Sequence, residues 1–242
     1  MVEEVNGIIV NEVSYGETSK ILTVLTKEHG LISVISKGCK NLKSPLRSVS
    51  EKLKYGLFQI VYKENKLSVL SDVDVINNFK NIKKDIYKIS AVSYLIDLSL
   101  QVYKESTNNI YEILINSILK IEEGFDFKVI INIVELKLLE NLGVLPVLDS
   151  CAICGSKNDI VTISGNTGGY LCKNCRTTEL YVNEKTIKLI RMFYYVDISK
   201  IQHLEVSDKI EQEIDSFISE YYEKYTGLYL KSKNFLRSIS NE

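Results

Sequence analysis

Proline and histidine are scarce in this 242-residue chain, with two of each. Two prolines and no low-complexity tract exclude long disordered linkers. Neither histidine, His29 or His203, starts an H-E-x-x-H pattern, and no H-x-E lies upstream of the cysteines, since His203-Leu204-Glu205 follows them, which argues against the common zinc hydrolase and deaminase signatures. No G-x-x-x-x-G-K-[ST] run or G-x-S-x-G elbow occurs, so nothing points to a P-loop ATPase or a serine hydrolase. No window approaches 18 apolar residues without a charge, so no membrane span is expected. Acids at Glu3 and Glu4 stand where a secretory leader needs a basic flank, and a cytoplasmic location is the expectation. No enzyme activity is expected.

A strong net charge is also missing. The formal charge is −1 with a pI near 6.2, and whole-chain electrostatics point to no nucleic-acid partner. The distribution is uneven, however. Between residues 37 and 54, Lys37, Lys40, Lys43, Arg47, Lys52 and Lys54 face only Glu51. Between 204 and 223, seven acids, among them Glu205, Asp208, Glu211 and Asp215, face only Lys209. A basic tail follows with Lys224, Lys231, Lys233 and Arg237. Each stretch is either a solvated face or a binding patch, and charge alone leaves both open.

What the sequence has is a clean change of period. Five short β-rich runs fill the first eighty residues, at Ile8–Val10, Ile21–Leu25, Leu31–Ile35, about 57–62 and about 67–75, with turn signals at Gly16, Gly30 and Asn65. With one longer connection across 37–53, they predict a small antiparallel barrel, and the OB-fold is the leading five-stranded candidate. Phe58, Ile60 and Tyr62 share one strand face. From about residue 82, apolar residues recur at helical spacing through Tyr103, then over 108–122 and 127–142, with Gly143 as the last helix's cap. Further helices are expected at about 183–196, capped by Asn183, and at about 206–225. The fold class is α+β. An N-terminal five-stranded OB-fold barrel over 1–80, expected to bind DNA, precedes a helical domain over 81–242 that carries an inserted four-cysteine zinc ribbon at about 150–176.

That ribbon is read from Cys151-Ala-Ile-Cys154 and Cys172-Lys-Asn-Cys175, a C-x₂-C-x₁₇-C-x₂-C pattern. Two thiolates three residues apart on a tight knuckle can both reach one ion at about 2.3 Å, and two knuckles complete a tetrahedron. Disulfides are unexpected in a cytoplasmic chain. Four cysteines leave no open position on the ion, so the zinc is structural rather than catalytic. Cys39, beside Lys37 and Lys40, reads as a small buried filler rather than an activated thiol. Tyr15, Phe58 and Tyr62 are either base-stacking groups or barrel core. Tyr87, Tyr94, Tyr103 and Tyr111 read as packing residues on helix faces.

Two long segments carry a resemblance. GIIVNEVSYGETSKILTVLTKEHGLISVISKG (7–38) closely resembles the opening of the bacterial RecO family of recombination mediators, and VELKLLENLGVLPVLDSCAICG (134–155) resembles its centre. The resemblance covers essentially the whole chain. It implies an N-terminal OB-fold, a helical domain and an inserted zinc module. It also implies a non-enzymatic role: binding single- and double-stranded DNA, annealing complementary strands, and helping RecA load onto strands coated by single-strand binding protein. The implied partners are RecR and the acidic C-terminal tail of single-strand binding protein, in a nucleoid-associated setting. The family's basic segment after the third strand maps onto Lys37, Gly38, Lys40, Lys43 and Arg47. Where many relatives carry two consecutive bases, this chain has Lys40-Asn41. The rival readings are an interaction scaffold that does not bind DNA and a zinc-ribbon factor acting on RNA.

Overall fold

The computed structural model describes residues 2–228 and 230–240, with the side chains of Arg237 and Ser240 excepted. The Arg237 charge of the basic tail therefore lies outside the described residues. The chain divides into two compact units, Met1–Lys84 and Asp85–Glu242.

In the first unit, β1 (Val2–Tyr15), β2 (Ser19–Thr26), β3 (Gly30–Ser36), β4 (Tyr55–Val61) and β5 (Ser68–Asn77) close a barrel in the order β1-β2-β3-β5-β4. All neighbours are antiparallel except β3 and β5. This is the OB-fold that the sequence predicted. The first strand is longer than its apolar run suggests because both of its halves work. Val2–Ile8 pair with β4, and Gly7–Tyr15 pair with β2. A bulge between Ile9 and Asn11 bends the strand between these two tasks. Gly7 and Gly56 sit opposite each other where β1 meets β4, and a Cβ on Gly56 would overlap the Asp74 carbonyl. Alternate residues of the strands fill the interior, with Val24, Val34, Phe58 and Ile60 fully buried. Phe58 is therefore core and offers no ring to a base. Tyr62 lies just beyond β4 and stacks on His29, with ring centroids 3.9 Å apart.

In the second unit the helices are α1 (Ile86–Val102), α2 (Ile110–Glu123), α3 (Phe127–Asn141), α4 (Glu184–Tyr195), α5 (Asp208–Tyr225) and α6 (Lys231–Ser240). The first begins later than its periodicity suggests. Residues 82–84 form a 3₁₀ turn, and Asp85 stands in an extended conformation, its carboxylate accepting from the Tyr87 and Lys88 amides at 2.9 and 3.3 Å. Aspartate satisfies the free amides of a helix start better than it continues a helix. Tyr87, in that first turn, is exposed rather than packed. At the end of α3, Gly143 (φ +69°) donates to Glu140 O and Val144 donates to Leu139 O, a Schellman cap. Two elements carried no sequence signal. α6 is short and polar, and β6 (Val147–Cys151) is too short to show a period. It pairs in parallel with β8 (Gly169–Cys172), beside the expected hairpin of β7 (Ile160–Ser164) and β8.

Helix α3 is buried nearly all round, as a central helix must be. It nevertheless carries Glu135, with no exposed surface. The carboxylate meets the Lys233 ammonium at 2.5 Å and accepts from the Tyr94 hydroxyl, while the Tyr222 hydroxyl donates to the Glu135 carbonyl at 2.8 Å. Burial and then the Glu135 charge hold the Tyr94 and Tyr222 phenols well above their usual range, so both remain donors. One residue thus ties three helices to α3, its carboxylate holding α1 and α6 and its backbone carbonyl holding α5. Lys233→Met should cost about 3–5 kcal/mol in urea unfolding, because it strands a buried charge. Glu135→Gln combined with Lys233→Met keeps an acceptor for Tyr94 and should recover more than half of that loss. A single variant as stable as the double would refute the pairing.

Candidate nucleic-acid interface and metal centre

The connection from Ser36 to Tyr55 is long but firmly tied to the barrel. At its start, Gly38 N donates to Ser19 Oγ at 3.2 Å and Lys40 N to Thr18 O at 2.8 Å, so residues 38–40 lean on the β1–β2 turn. At its end, Leu53 N donates to Ile9 O and Ile9 N to Lys54 O, both at 3.0 Å. These two bonds use the Ile9 backbone groups beside the bulge in β1. Between them, the Ser36 and Ser50 hydroxyls share a buried hydrogen bond of 2.7 Å, and Leu46 and Val49 pack on the barrel core. Lys20 reaches Ser50 O at 3.0 Å and Glu12 at 3.1 Å, and Glu12 accepts from Lys52 N at 2.9 Å.

This framework sorts the bases. Lys37, Lys43 and Arg47 are exposed, with Arg47 closing a 3₁₀ turn that begins at Pro45. Lys40 is half-buried and donates to Gly16 O at 3.2 Å, so part of its charge is occupied at the β1–β2 turn. Lys54 is buried against Asn78 Oδ1 at 2.7 Å and serves the fold. Of the three aromatic candidates only Tyr15 presents an open ring. It is 54% exposed and adjoins Gly16, the residue that holds Lys40. The sequence did not reveal Lys20 and Glu12 as anchors of the loop, because their partners lie thirty or more residues away. Cys39 is buried, as a filler should be.

The second constellation is metal-like. Cys151 ends β6 and Cys172 ends β8, while Cys154 and Cys175 sit in the turns that follow. Gly155 (φ +73°) lets its amide return to Cys151 O at 2.9 Å, and the Cys175 and Arg176 amides fold onto Cys172 O at 3.1 and 3.0 Å. Ala152 N donates to Tyr170 O at 2.7 Å and joins the two knuckles. The four sulfurs lie within 4.8 Å of one another, with Cys154 and Cys172 at 3.7 Å. A tetrahedral ion with metal–sulfur bonds of about 2.3 Å separates its sulfurs by about 3.8 Å. The donor set therefore fits a metal ion. Burial opposes ionisation of Cys151, but the amides of Cys154, Cys172 and Ile153 outweigh it and bring the thiol down to about 6. The Cys154 side chain, then burial, push Cys175 up to about 12.

The comparisons with known proteins agree along the chain. Residues 1–79 match the family model described as Recombination protein O N terminal, and residues 83–234 match Recombination protein O C terminal. The DNA repair protein RecO of Bacillus pumilus (strain SAFR-032) is 33% identical over 240 residues, covering 97% of this chain and 93% of that protein. The DNA repair protein RecO of Bacillus cytotoxicus is 33% identical over 244 residues, covering 99% and 98%. That of Bacillus cereus (strain AH187) is 32% identical over the same length and the same shares. Among the described residues, no helix is long and apolar enough to cross a membrane.

Metal binding at the cysteines requires four thiolates and so must release protons. The apparent affinity should fall steeply as pH drops below neutrality, measured by competition with a chromogenic chelator. Cys172→Ser should lower the metal content from one ion per chain toward none. Retention of metal in that variant would show that the site is elsewhere.

Proposed function

The chain belongs to the RecO family, and on that premise we propose that it is a recombination mediator of DNA repair that acts without catalysing a reaction. It binds single- and double-stranded DNA, anneals complementary strands, and helps RecA load onto strands coated by single-strand binding protein. Its partners are RecR and the C-terminal tail of single-strand binding protein, in the cytoplasm at the nucleoid. The ion in the four-cysteine site is zinc, and its work is to hold the two knuckles together, since four thiolates leave no position open for substrate.

The observation that carries this reading is the 37–47 loop, with exposed Lys37, Lys43 and Arg47 on a tied backbone beside the exposed ring of Tyr15. Basic groups that follow a phosphate backbone, next to an aromatic face, suit single strands of any sequence. Phosphate contacts position a strand without reading it. Bases left free can then meet a complement while the cations screen repulsion between the two backbones. Tying the loop in advance lowers the entropy lost when a strand binds.

Replacing Lys37, Lys43 and Arg47 together by Ala should weaken binding to all single-stranded sequences alike. It should also reduce the slope of log affinity against log salt by roughly two, at about 0.7 per phosphate contact. Lys40→Ala should do less, because its ammonium already serves Gly16 O. Annealing of complementary strands, one coated by single-strand binding protein, should be accelerated without nucleotide and should fade as salt rises. Unchanged DNA affinity in the triple variant would remove the loop from the mechanism. No binding by the parent at low salt would favour a protein-recruiting scaffold.

A further inference from the structure

The barrel wall opens at the end away from the basic loop. β5 reaches β3 only at Val34 and Ile35, so it leaves the start of β3 uncovered on that side. The connection from β4 to β5, residues 62–67, borders the gap and encloses a recess of about 360 Å³. His29, Ser33, Tyr62, Lys63, Asn65 and Lys66 line it, and among the described residues no carboxylate does. Neither the Lys63 nor the Lys66 ammonium has a hydrogen-bond or ion-pair partner among the described residues. The acids nearby are engaged or turned away. Glu3 meets His29 Nε2 at 3.1 Å, Glu28 accepts from Asn6 N at 2.9 Å, and Glu64 is exposed outside the wall. The recess is also tied in advance. Lys63 N donates to the buried Ser68 Oγ at 3.1 Å, Lys66 N to Lys63 O at 3.2 Å, and His29 N to Thr26 Oγ1 at 3.1 Å.

We propose that this recess is a second phosphate-binding point, which holds the second strand during annealing. The proposal rests on the reading above, in which the 37–47 loop holds the first strand. Lys63 and Lys66 take the phosphate charge, and the Ser33 hydroxyl and Asn65 amide add neutral donors. The Tyr62 ring is already stacked on His29, so the recess grips backbone rather than base and accepts any sequence. Separation is what the second point supplies. The seven residues of β3 run from the recess to the basic loop and span about 20 Å, at ~3.3 Å per residue. Screening at physiological salt acts over about 8 Å, so phosphates held at the two ends repel one another weakly. Two strands crowded onto the loop alone would meet that repulsion in full.

The test uses the full-length protein with two oligothymidines, which cannot pair with each other. One is immobilised, and the other carries fluorescein and reports bridging. The parent should bind the first and retain the second at low salt. Lys63→Ala with Lys66→Ala should lower bridging roughly tenfold and reduce its salt slope by roughly 1.4, at about 0.7 per phosphate contact. Affinity for a single strand should change less than about threefold, because the loop still holds it. Both lysines are exposed, so an unchanged urea midpoint should accompany the loss. Lys27→Ala, an exposed lysine at the same end but outside the recess, should cost less than Lys66→Ala. Excess thymidine monophosphate or oligoglutamate should leave bridging in place. Displacement by the nucleotide would assign the recess to free phosphates, and displacement by oligoglutamate to acidic peptides, and either would overturn the proposal. Unchanged bridging in the double variant would overturn it while leaving the loop's role intact. Equal losses of bridging and single-strand affinity would instead mean one strand running past both ends. A parent that binds no strand at all would sink the DNA-binding reading itself.

Discussion

Glu135 sits in the middle of α3 with no exposed surface, and an isolated carboxylate there would cost several kcal/mol in lost solvation. It persists because Lys233 and Tyr94 both reach it and Tyr222 reaches its backbone. The consequence is geometric. A carboxylate that must be matched fixes where α1 and α6 stand around α3, which apolar packing alone would leave freer to slide. The Lys233 ammonium also stands 5.7 and 5.8 Å from the centroids of the Tyr94 and Tyr222 rings. The same helices wall a cavity, so the ion pair that orders the unit also shapes the recess beside the Asn132 amide.

The barrel solves a different problem by the same means, tying a long connection to groups that already need partners. At the β1 bulge the ladder with β2 is interrupted, and the Ile9 amide and carbonyl are free to take Lys54 and Leu53. The bulge that lets one strand serve two neighbours therefore also anchors the basic loop. Lys20 and Glu12 then brace the loop with a part-buried pair, worth little by itself at an exposed site but useful because each partner also bonds loop backbone.

Much of this was legible in the sequence. Short β-rich runs between turn signals marked all five strands, the 3.6 period marked α1, α2 and α3, and Gly143 and Asn183 marked helix ends for the reasons borne out in their hydrogen bonds. The cysteine spacing pointed to the cluster because thiols three apart must share a knuckle. What escaped depended on distant partners. α6 is polar, and its side-chain bonds reach far back in the chain, Lys233 to Glu135 98 residues earlier and Ser232 to Asp97 135 residues earlier. β6 is defined only by its neighbour β8. Phe58 and Tyr15 carry the same aromatic label, and only closure of the barrel decides that one is core and the other open to solvent.

Net charge is the coarsest of the sequence signals. A total of −1 conceals a basic loop and an acidic helix in different units. Coulomb interactions at physiological salt fade over about 8 Å, so a phosphate beside Arg47 responds to the loop around it and not to the total. Opposite local fields on one chain can select partners of opposite charge, and near-neutrality overall keeps either field from attracting unrelated polyions at long range. Such separation works only if each patch is held in place. The Ile9 bonds hold the loop, and the Glu135 pair holds α1 and α6 on α3.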